Sequence, residues 1–373
     1  MIQKPFELVP LGSICDLNPR LSKESRPADT DLVSFVPMAA VDEESASINA
    51  GEIRTYSAVK KGFTPFREND VLFAKITPCM ENGKVALAKG LQGEIGFGST
   101  EFHVLRASAR VLPEWLRYYV LRPAFRSHAK CRMTGAVGQQ RVPVEFLSES
   151  LIPLPPVAEQ RRLIDFLSRA ENIVRMRREA EQKAKEIIPA LFLDMFGDPG
   201  TNPKALDKRP LKDLIKVKSG EFLPSEKMDA GGTIPVFGGN GINGYHSTAM
   251  FSAPMVVIGR VGAYCGNVHN TPPGVWVTDN ALYVAERFAP LRTAYLVQAL
   301  RHAKLNQVAS QAGQPLISGS RIYPIEILVP PEDRQDLFAT RATQAEELAR
   351  HQVSATESAS SVFQSLLAGV FQE

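Results

Sequence analysis

Cysteine is scarce in this chain. Its four residues, Cys15, Cys79, Cys131 and Cys265, are scattered, and none forms a Cys-x-x-Cys pair. That spacing argues against structural zinc and a disulfide framework, and it fits a reducing, cytoplasmic setting. Long apolar runs are also missing. None reaches the roughly 18–20 residues needed to span a bilayer, and residues 1–7 (MIQKPFE) lack the apolar stretch of a secretion signal. No membrane partner is expected. The histidines at 103, 128, 246, 269, 302 and 351 show no metal-ligand spacing. There is no G-x-x-x-x-G-K-[ST] loop, no dinucleotide fingerprint after a strand and no G-x-S-x-G elbow. Residues 196–200 (FGDPG) have the wrong glycine spacing for a methyltransferase cofactor loop. The proline pairs at 155, 272 and 330 lack the preceding Asn or Asp of amino-methyltransferases. The sequence therefore offers no catalytic residue, no metal site and no cofactor of its own, and binding is favoured over catalysis.

Disorder is excluded too, because 44% of residues are hydrophobic and only 22% charged. With 373 residues, two or three domains are expected. The chain repeats itself. Residues 152–160 (IPLPPVAEQ) read against 327–335 (ILVPPEDRQ), which places Pro155, Pro156 and Gln160 on Pro330, Pro331 and Gln335 at an offset of 175. The offset continues without a gap, bringing Leu191 onto Leu366 and Phe196 onto Phe371. Earlier, Pro10-Leu11 matches Pro210-Leu211 at an offset of 200, so the second copy is about 25 residues shorter in its variable part.

Each Pro-Pro opens a long helical pattern, since proline fits the first turn of a helix. In the first copy an apolar stripe spaced by 3 and 4 runs through Leu163, Leu167, Ala170, Val174, Ala184, Ile188 and Leu191. In the second copy it runs through Phe338, Ala342, Ala345, Ala349, Phe363, Leu366 and Val370. Both stripes are interrupted by two polar residues, Arg177 and Glu181 in one and Gln352 and Thr356 in the other. A shared seam with a shared interruption argues that the two helices pack on each other, the polar step setting register. Two unrelated amphipathic helices are the alternative. Pro189 is expected to kink or break the first helix, leaving a firm part over 157–188, roughly 48 Å long, and Gly197 is a natural C-cap.

Before each helix the pattern changes to short β-like runs (70–76, 102–105, 255–258, 281–284), with Gly- and Asn-rich turns between them and helices at 113–122 and 291–304. The fold class read from this is α+β: two globular domains, each followed by a long helix, the two helices forming an antiparallel coiled coil. The boundaries are 1–156, 157–197, 198–331 and 332–373.

The net charge of +3 is unevenly spread. The second globule, 198–331, has 13 basic against 9 acidic groups, and the last segment, 332–373, has 3 against 7. An acidic helix suits pairing with protein. The globules, with Lys204, Lys208, Arg209, Lys212, Lys216 and Lys218 in one stretch of the second, are the better candidates for meeting a polyanion, although a lone lysine run is more often a solvated basic face.

The order of these features resembles the specificity subunit of type I restriction–modification systems. The resemblance rests on Pro155-Pro156-x-x-x-Gln160 and Pro330-Pro331-x-x-x-Gln335, the helix end at 191–199 (LFLDMFGDP), 73–84 (FAKITPCMENGK) in the first globule and 259–262 (GRVG) in the second. The second opening has Arg334-Gln335 where Glu-Gln is usual. The resemblance implies a sequence-specific, non-catalytic DNA-binding subunit. Each globule would be a target recognition domain for one half of a bipartite double-stranded site. The helices would space the domains and dock two modification (methyltransferase) subunits. Restriction (motor/nuclease) subunits would join through that core. S-adenosylmethionine would sit on the modification partner and ATP with magnesium on the restriction partner.

For a DNA reader, residue type singles out guanine-reading Arg or Lys and adenine-reading Asn or Gln near exposed turns, with Ser and Thr joining them at phosphates. In the first globule these are Lys75, Thr77, Asn82, Lys84, Gln139, Gln140 and Arg141. In the second they are Asn240, Asn243, Arg260, Tyr264, Asn267, Gln314 and Ser318, with Lys75 and Arg260 leading. Other readings are a specificity subunit whose modification and cleavage partner is one fused chain, a coiled-coil scaffold that binds only proteins, and a stand-alone DNA enzyme. DNA recognition predicts affinity that falls steeply with salt; a scaffold does not.

Overall fold

In the computed structural model, which describes residues 6–49, 51–136, 138–229, 231–310 and 313–371, each globule is built on a four-stranded antiparallel sheet of the same order. The first runs Cys15–Leu17, Phe102–Ala107, Val71–Ala74, Val85–Leu87, and the second Ile215–Ser219, Ala281–Arg287, Val256–Gly259, Val268–Asn270. Residues 1–5, within the stretch that lacks a secretion signal, lie outside the described residues. The central strands Val71–Ala74 and Val256–Gly259 are buried at every position, as unbroken apolar runs between two packed faces must be. Alternate side chains feed different cores. Val71 and Phe73 join Trp115, while Leu72 and Ala74 join Phe66 and Phe102. In the second globule Val256 and Ile258 join Tyr295, while Val257 joins Val275 and Val277.

A second sheet also recurs. It is Glu52–Thr55, Leu32–Val36, Ile95–Gly98, Thr64–Arg67 in the first globule and Gly241–His246, Ile234–Gly238, Trp276–Val277 in the second, each containing one parallel pair. The copies differ in what links the matching strands. Residues 37–51, which carry the small hairpin Val41–Asp42/Ser47–Ile48, do so in the first, and only Gly239 and Asn240 in the second. The expected helices form as Pro113–Leu121 and Thr293–His302, and they are buried all round over 115–121 and 295–300, led by Trp115 and Tyr295.

A two-stranded ribbon closes each globule just before its Pro-Pro: Leu8–Pro10 with Leu151–Pro153, and Lys208–Pro210 with Glu326–Leu328. The repeated glutamine then fastens the globule to the helix that follows. Gln160 is fully buried. Its Oε1 accepts the Leu112 N–H at 2.8 Å, and its Nε2 donates to the carbonyls of Arg110 (3.0 Å) and Pro155 (2.8 Å). Gln335 repeats the arrangement, accepting from Arg292 N–H at 2.9 Å and donating to Pro290 (3.2 Å) and Pro330 (2.9 Å). Trp115 Nε1 and Tyr295 Oη add matching bonds to the carbonyls of Pro153 and Leu328.

The long helices are Val157–Phe196 and Glu332–Val370. The break expected at Pro189 does not occur. A proline inside a helix costs about 3 kcal/mol, but the next turns bury Phe192 and Phe196 completely against Tyr295 and Phe338. Burial of two such rings contributes roughly 3–6 kcal/mol, enough to carry the helix through. Gly197, at φ +80°, ends it with its N–H on the Leu193 carbonyl.

The chain forms two compact units, residues 1–179 with 354–373 and residues 180–353. Each contains one globule and an end of both long helices. In the first unit Leu163, Leu167 and Val174 share a core with Phe363, Leu367 and Phe371, and Leu366 is half-buried beside them. In the second, Phe192, Phe196, Phe338 and Ala342 share a core with half-buried Ile188 against it, and Ala345 is buried. Among the described residues no helix is long and apolar enough to cross a membrane.

Candidate nucleic-acid interface

The central strand of each antiparallel sheet ends in the turn where the leading candidates sit, and a distant loop folds back onto that turn. In the first globule Thr77 N–H donates to the Gln140 carbonyl (3.0 Å) and Val142 N–H to the Lys75 carbonyl (2.9 Å), with Ile76 bridging to Arg141. In the second, Gly262 N–H donates to Pro315 (2.9 Å) and Ile317 N–H to Arg260 (2.9 Å), with Val261 bridging to Leu316. Lys75 N–H reaches the Glu101 carbonyl and Arg260 N–H the Asn280 carbonyl, both at 2.9 Å. The same backbone device is thus built twice. It brings Lys75, Thr77, Gln140 and Arg141 together in one globule, and Arg260 and Gln314 in the other. Gln314 Nε2 lies 3.2 Å from where a Cβ on Gly262 would stand.

The side chains differ in how free they are. Lys75 is half-buried, and its ammonium makes no hydrogen bond or ion pair among the described residues. Gln139, Asn240, Asn243, Tyr264 and Asn267 are exposed. The hairpin tip at Gly239 and Asn240 lies beside the Arg260 strand end, the Cβ position of Gly239 being 3.5 Å from the Val261 carbonyl. Ser318 Oγ is 2.9 Å from Ser320 Oγ. Arg260 is partly tethered, its Nη1 donating to Ser219 Oγ (3.0 Å) and the Asp279 carbonyl (3.2 Å), which fixes its direction.

Three candidates are turned to other work. Lys84 is half-buried and donates to the carbonyls of Val41 (2.8 Å) and Met38 (3.3 Å), so its ammonium is already engaged within the globule. Arg141 is held by Glu101 through two parallel bonds, Nε–Oε2 at 2.9 Å and Nη2–Oε1 at 2.7 Å. These bonds hold the Glu101 carboxyl below the usual carboxylate range and offset the guanidinium charge. Thr77 Oγ1 donates to Glu81, whose carboxylate also pairs with Lys130. Asn82 faces a separate cavity with residues 42–49. Apart from Glu81, four residues beyond Thr77, these partners could not be read from local sequence, because each lies across a chain reversal.

In the basic stretch of the second globule, Lys216 pairs with Glu286 at 2.8 Å and Lys204 caps the Asp194 carbonyl. Lys208, Lys212 and Lys218 make no such bond among the described residues. Sequence reading passed over Phe222, Ile242 and Tyr245, which are exposed, Phe222 by 71%. The only signal for them was large apolar residues in or beside Gly-rich loops.

Buried His103 supports the first globule's returning loop. Its Nε2 donates to the Val142 carbonyl at 2.8 Å, which leaves Nδ1 to accept from Asn18 Nδ2 at 3.1 Å. Burial, the largest cause, pushes its pKa below the ordinary histidine value. The unfolded chain therefore binds the proton more readily, and stability present above pH ~6.5 is lost as pH falls towards the folded pKa. The urea midpoint is expected to drop between pH 7.5 and 5.5, and to drop less in His103→Gln. An equal drop in both would exclude His103 as the source.

A family model described as type I restriction modification DNA specificity domain matches residues 3–186. The specificity subunit of the type I restriction enzyme EcoEI of Escherichia coli is 37% identical over 174 residues, covering 45% of this chain and 29% of that protein. The match thus spans less than a third of that relative's length. Two solved structures share the fold over the whole chain. One, described as the structural basis underlying complex assembly and conformational transition of the type I R-M system, has TM-score 0.63 and 19% identity, covering 100% of this chain and 98% of that one. The other, the S subunit of a type I restriction-modification system from M. genitalium, has TM-score 0.58 and 16% identity with the same coverage.

Proposed function

We propose, from the premise that this chain belongs through residues 3–186 to the type I restriction modification DNA specificity domain family, that it is the sequence-reading subunit of a type I restriction–modification complex. Each globule reads one half of a bipartite double-stranded site. The single observation that carries this reading is the turn-and-return-loop device, built once in each globule around Lys75 and around Arg260. Two reading heads of one design on one chain are what two half-sites require.

The long helices pair as an antiparallel coiled coil that separates the heads. Support comes from the exchange of ends, each compact unit holding the start of one helix and the end of the other. Successive faces of B-DNA recur every ~34–36 Å, and a helix of 40 residues is long enough for that separation. The helices also dock two modification subunits, which carry S-adenosylmethionine, and restriction subunits, which use ATP and magnesium, join them. The chain itself contributes binding and direction.

Co-expression with a modification subunit, followed by mapping of methylated bases, tests the proposal. The expected outcome is a two-part motif with a fixed gap; a continuous motif or none would overturn it. Arg260→Ala is expected to weaken binding to the specific site about tenfold or more, the scale of one lost charge-assisted hydrogen bond, with a smaller effect on random DNA. Equal losses on both DNAs would make Arg260 a phosphate contact.

A further inference from the structure

The hairpin that distinguishes the first globule from the second is locked down with unusual thoroughness. Asp42 Oδ1 accepts the N–H groups of Glu44 (3.1 Å) and Ser45 (2.7 Å). Buried Arg117 takes the carbonyls of Ala46 (3.2 Å) and Ser45 (3.3 Å) while paired at 2.6 Å with Glu171 of the first long helix. Arg178, two turns further along that helix, takes the Glu44 carbonyl at 2.7 Å. Ala46 is held at φ +48°, a conformation L-residues avoid, and it is buried. Such a turn persists only because its surroundings over-determine it.

Locking the hairpin creates a cavity of about 610 Å³ with an apolar floor of Leu121, Val174 and Phe363. One wall is Arg126. Its Nη1 donates to the Glu81 carbonyl at 2.8 Å, its Nε is sealed from water with no acceptor, and no carboxylate pairs with it among the described residues. The nearby Glu81 carboxylate is already taken by Thr77 and Lys130. Gly83 makes the position possible, since a Cβ there would stand 2.5 Å from Arg126 Nη1. An arginine does not shed its proton, so this half-desolvated charge lacks the anion that would compensate it.

The geometry points to this cavity as the seat of an acidic side chain from a protein partner. On the function proposed above, on which this inference rests, that partner is one of the two modification subunits. The cavity is also lined by Asp42, Glu43, Glu44, Glu171 and Glu179, of which Glu44, Glu171 and Glu179 are paired with Arg178, Arg117 and Arg175. A DNA backbone would bring a run of phosphates against the remaining carboxylates, whereas a single side-chain carboxylate brings one charge to Arg126. A carboxylate on an apolar stem matches both the guanidinium and the floor. The volume is far larger than one carboxylate and falls in the range of pockets that enclose a sizeable ligand. Gly239 and Asn240 replace the whole 37–51 insertion in the second globule, so the two modification subunits dock unequally, and only one gains this anchor.

Stepwise titration of a modification subunit into the full chain, read as stoichiometry and two dissociation constants, tests this. In Arg126→Gln one step is expected to weaken about tenfold or more, the scale of a lost charge-assisted bond, with the other unchanged. Arg126→Lys keeps the charge without the planar fork and should lose less. It also serves as the readout if the Gln variant unfolds, thermal melting reporting on that. Unchanged affinity at both steps, or equal losses at both, overturns the inference. A loss confined to DNA affinity, with a shallower salt dependence, overturns it in favour of a phosphate. If the unaltered chain binds no modification subunit, the proposed function falls and this inference falls with it.

Discussion

One heptad inserted into each long helix is expected to lengthen the gap in the methylated motif by about three base pairs. Seven helical residues add ~10 Å, and base pairs in B-DNA are stacked ~3.4 Å apart. The insertion preserves the 3.5-residue spacing of both apolar stripes, which the proposed pairing of the helices requires. DNA, in contrast, turns by roughly 100° over three base pairs of a 10–10.5 base-pair turn. The second head then meets a different face of the duplex unless it follows the groove, so total methylation should fall even as the preferred gap lengthens. The measurement is genome-wide mapping of methylated bases in cells carrying the altered chain with its modification subunit. Unchanged half-sites with a longer gap support a helical ruler. An unchanged gap would mean that the separation of the heads is set elsewhere.

Gln160→Ala and Gln335→Ala are each expected to cost about 3 kcal/mol of unfolding free energy. Each glutamine makes three hydrogen bonds to backbone groups at a buried junction. A typical net contribution is ~1 kcal/mol per bond, and a buried group left without a partner costs ~1–3 kcal/mol more. Water entering the space left by the side chain would recover some of this. Gln→Glu is a sharper probe. It is nearly isosteric and keeps the acceptor for the Leu112 or Arg292 N–H, but it places a carboxylate against two carbonyls. It should cost more than Ala at neutral pH, and less once the carboxyl is protonated. Urea unfolding at pH 7 and pH 5 measures both. Losses below ~1 kcal/mol for both alanine variants would show that the ribbons and the Trp115 and Tyr295 bonds hold the junctions by themselves.

Much of this architecture is legible in the residues. The Pro-Pro-x-x-x-Gln repeat at an offset of 175 marks both junctions, and the two glutamines proved to make the same three bonds. The apolar runs 70–76 and 255–258 contain the central strands, because only strands covered on both faces are apolar without alternation. The 3–4 spacing of Leu163, Leu167 and Val174 picks out residues that are buried. Less of the candidate interface was legible. Lys84 and Arg141 have the right type and the right neighbourhood, yet one caps two carbonyls and the other is paired with Glu101. The helix break expected at Pro189 is absent because that expectation weighed a local penalty without the burial of Phe192 and Phe196 that outweighs it.

By itself, then, the sequence determined the duplication, the element types and the buried faces. These follow from spacing along the chain, and spacing sets which side chains share a face of a strand or helix. Only the tertiary structure decided which polar groups remain available. That depends on chain reversals bringing Glu101 to Arg141, Ser219 to Arg260 and the 42–47 turn to Arg117, pairings separated by 40 to 72 residues. A charge seeks the nearest compensating partner in space, and distance along the chain says little about which partner that will be.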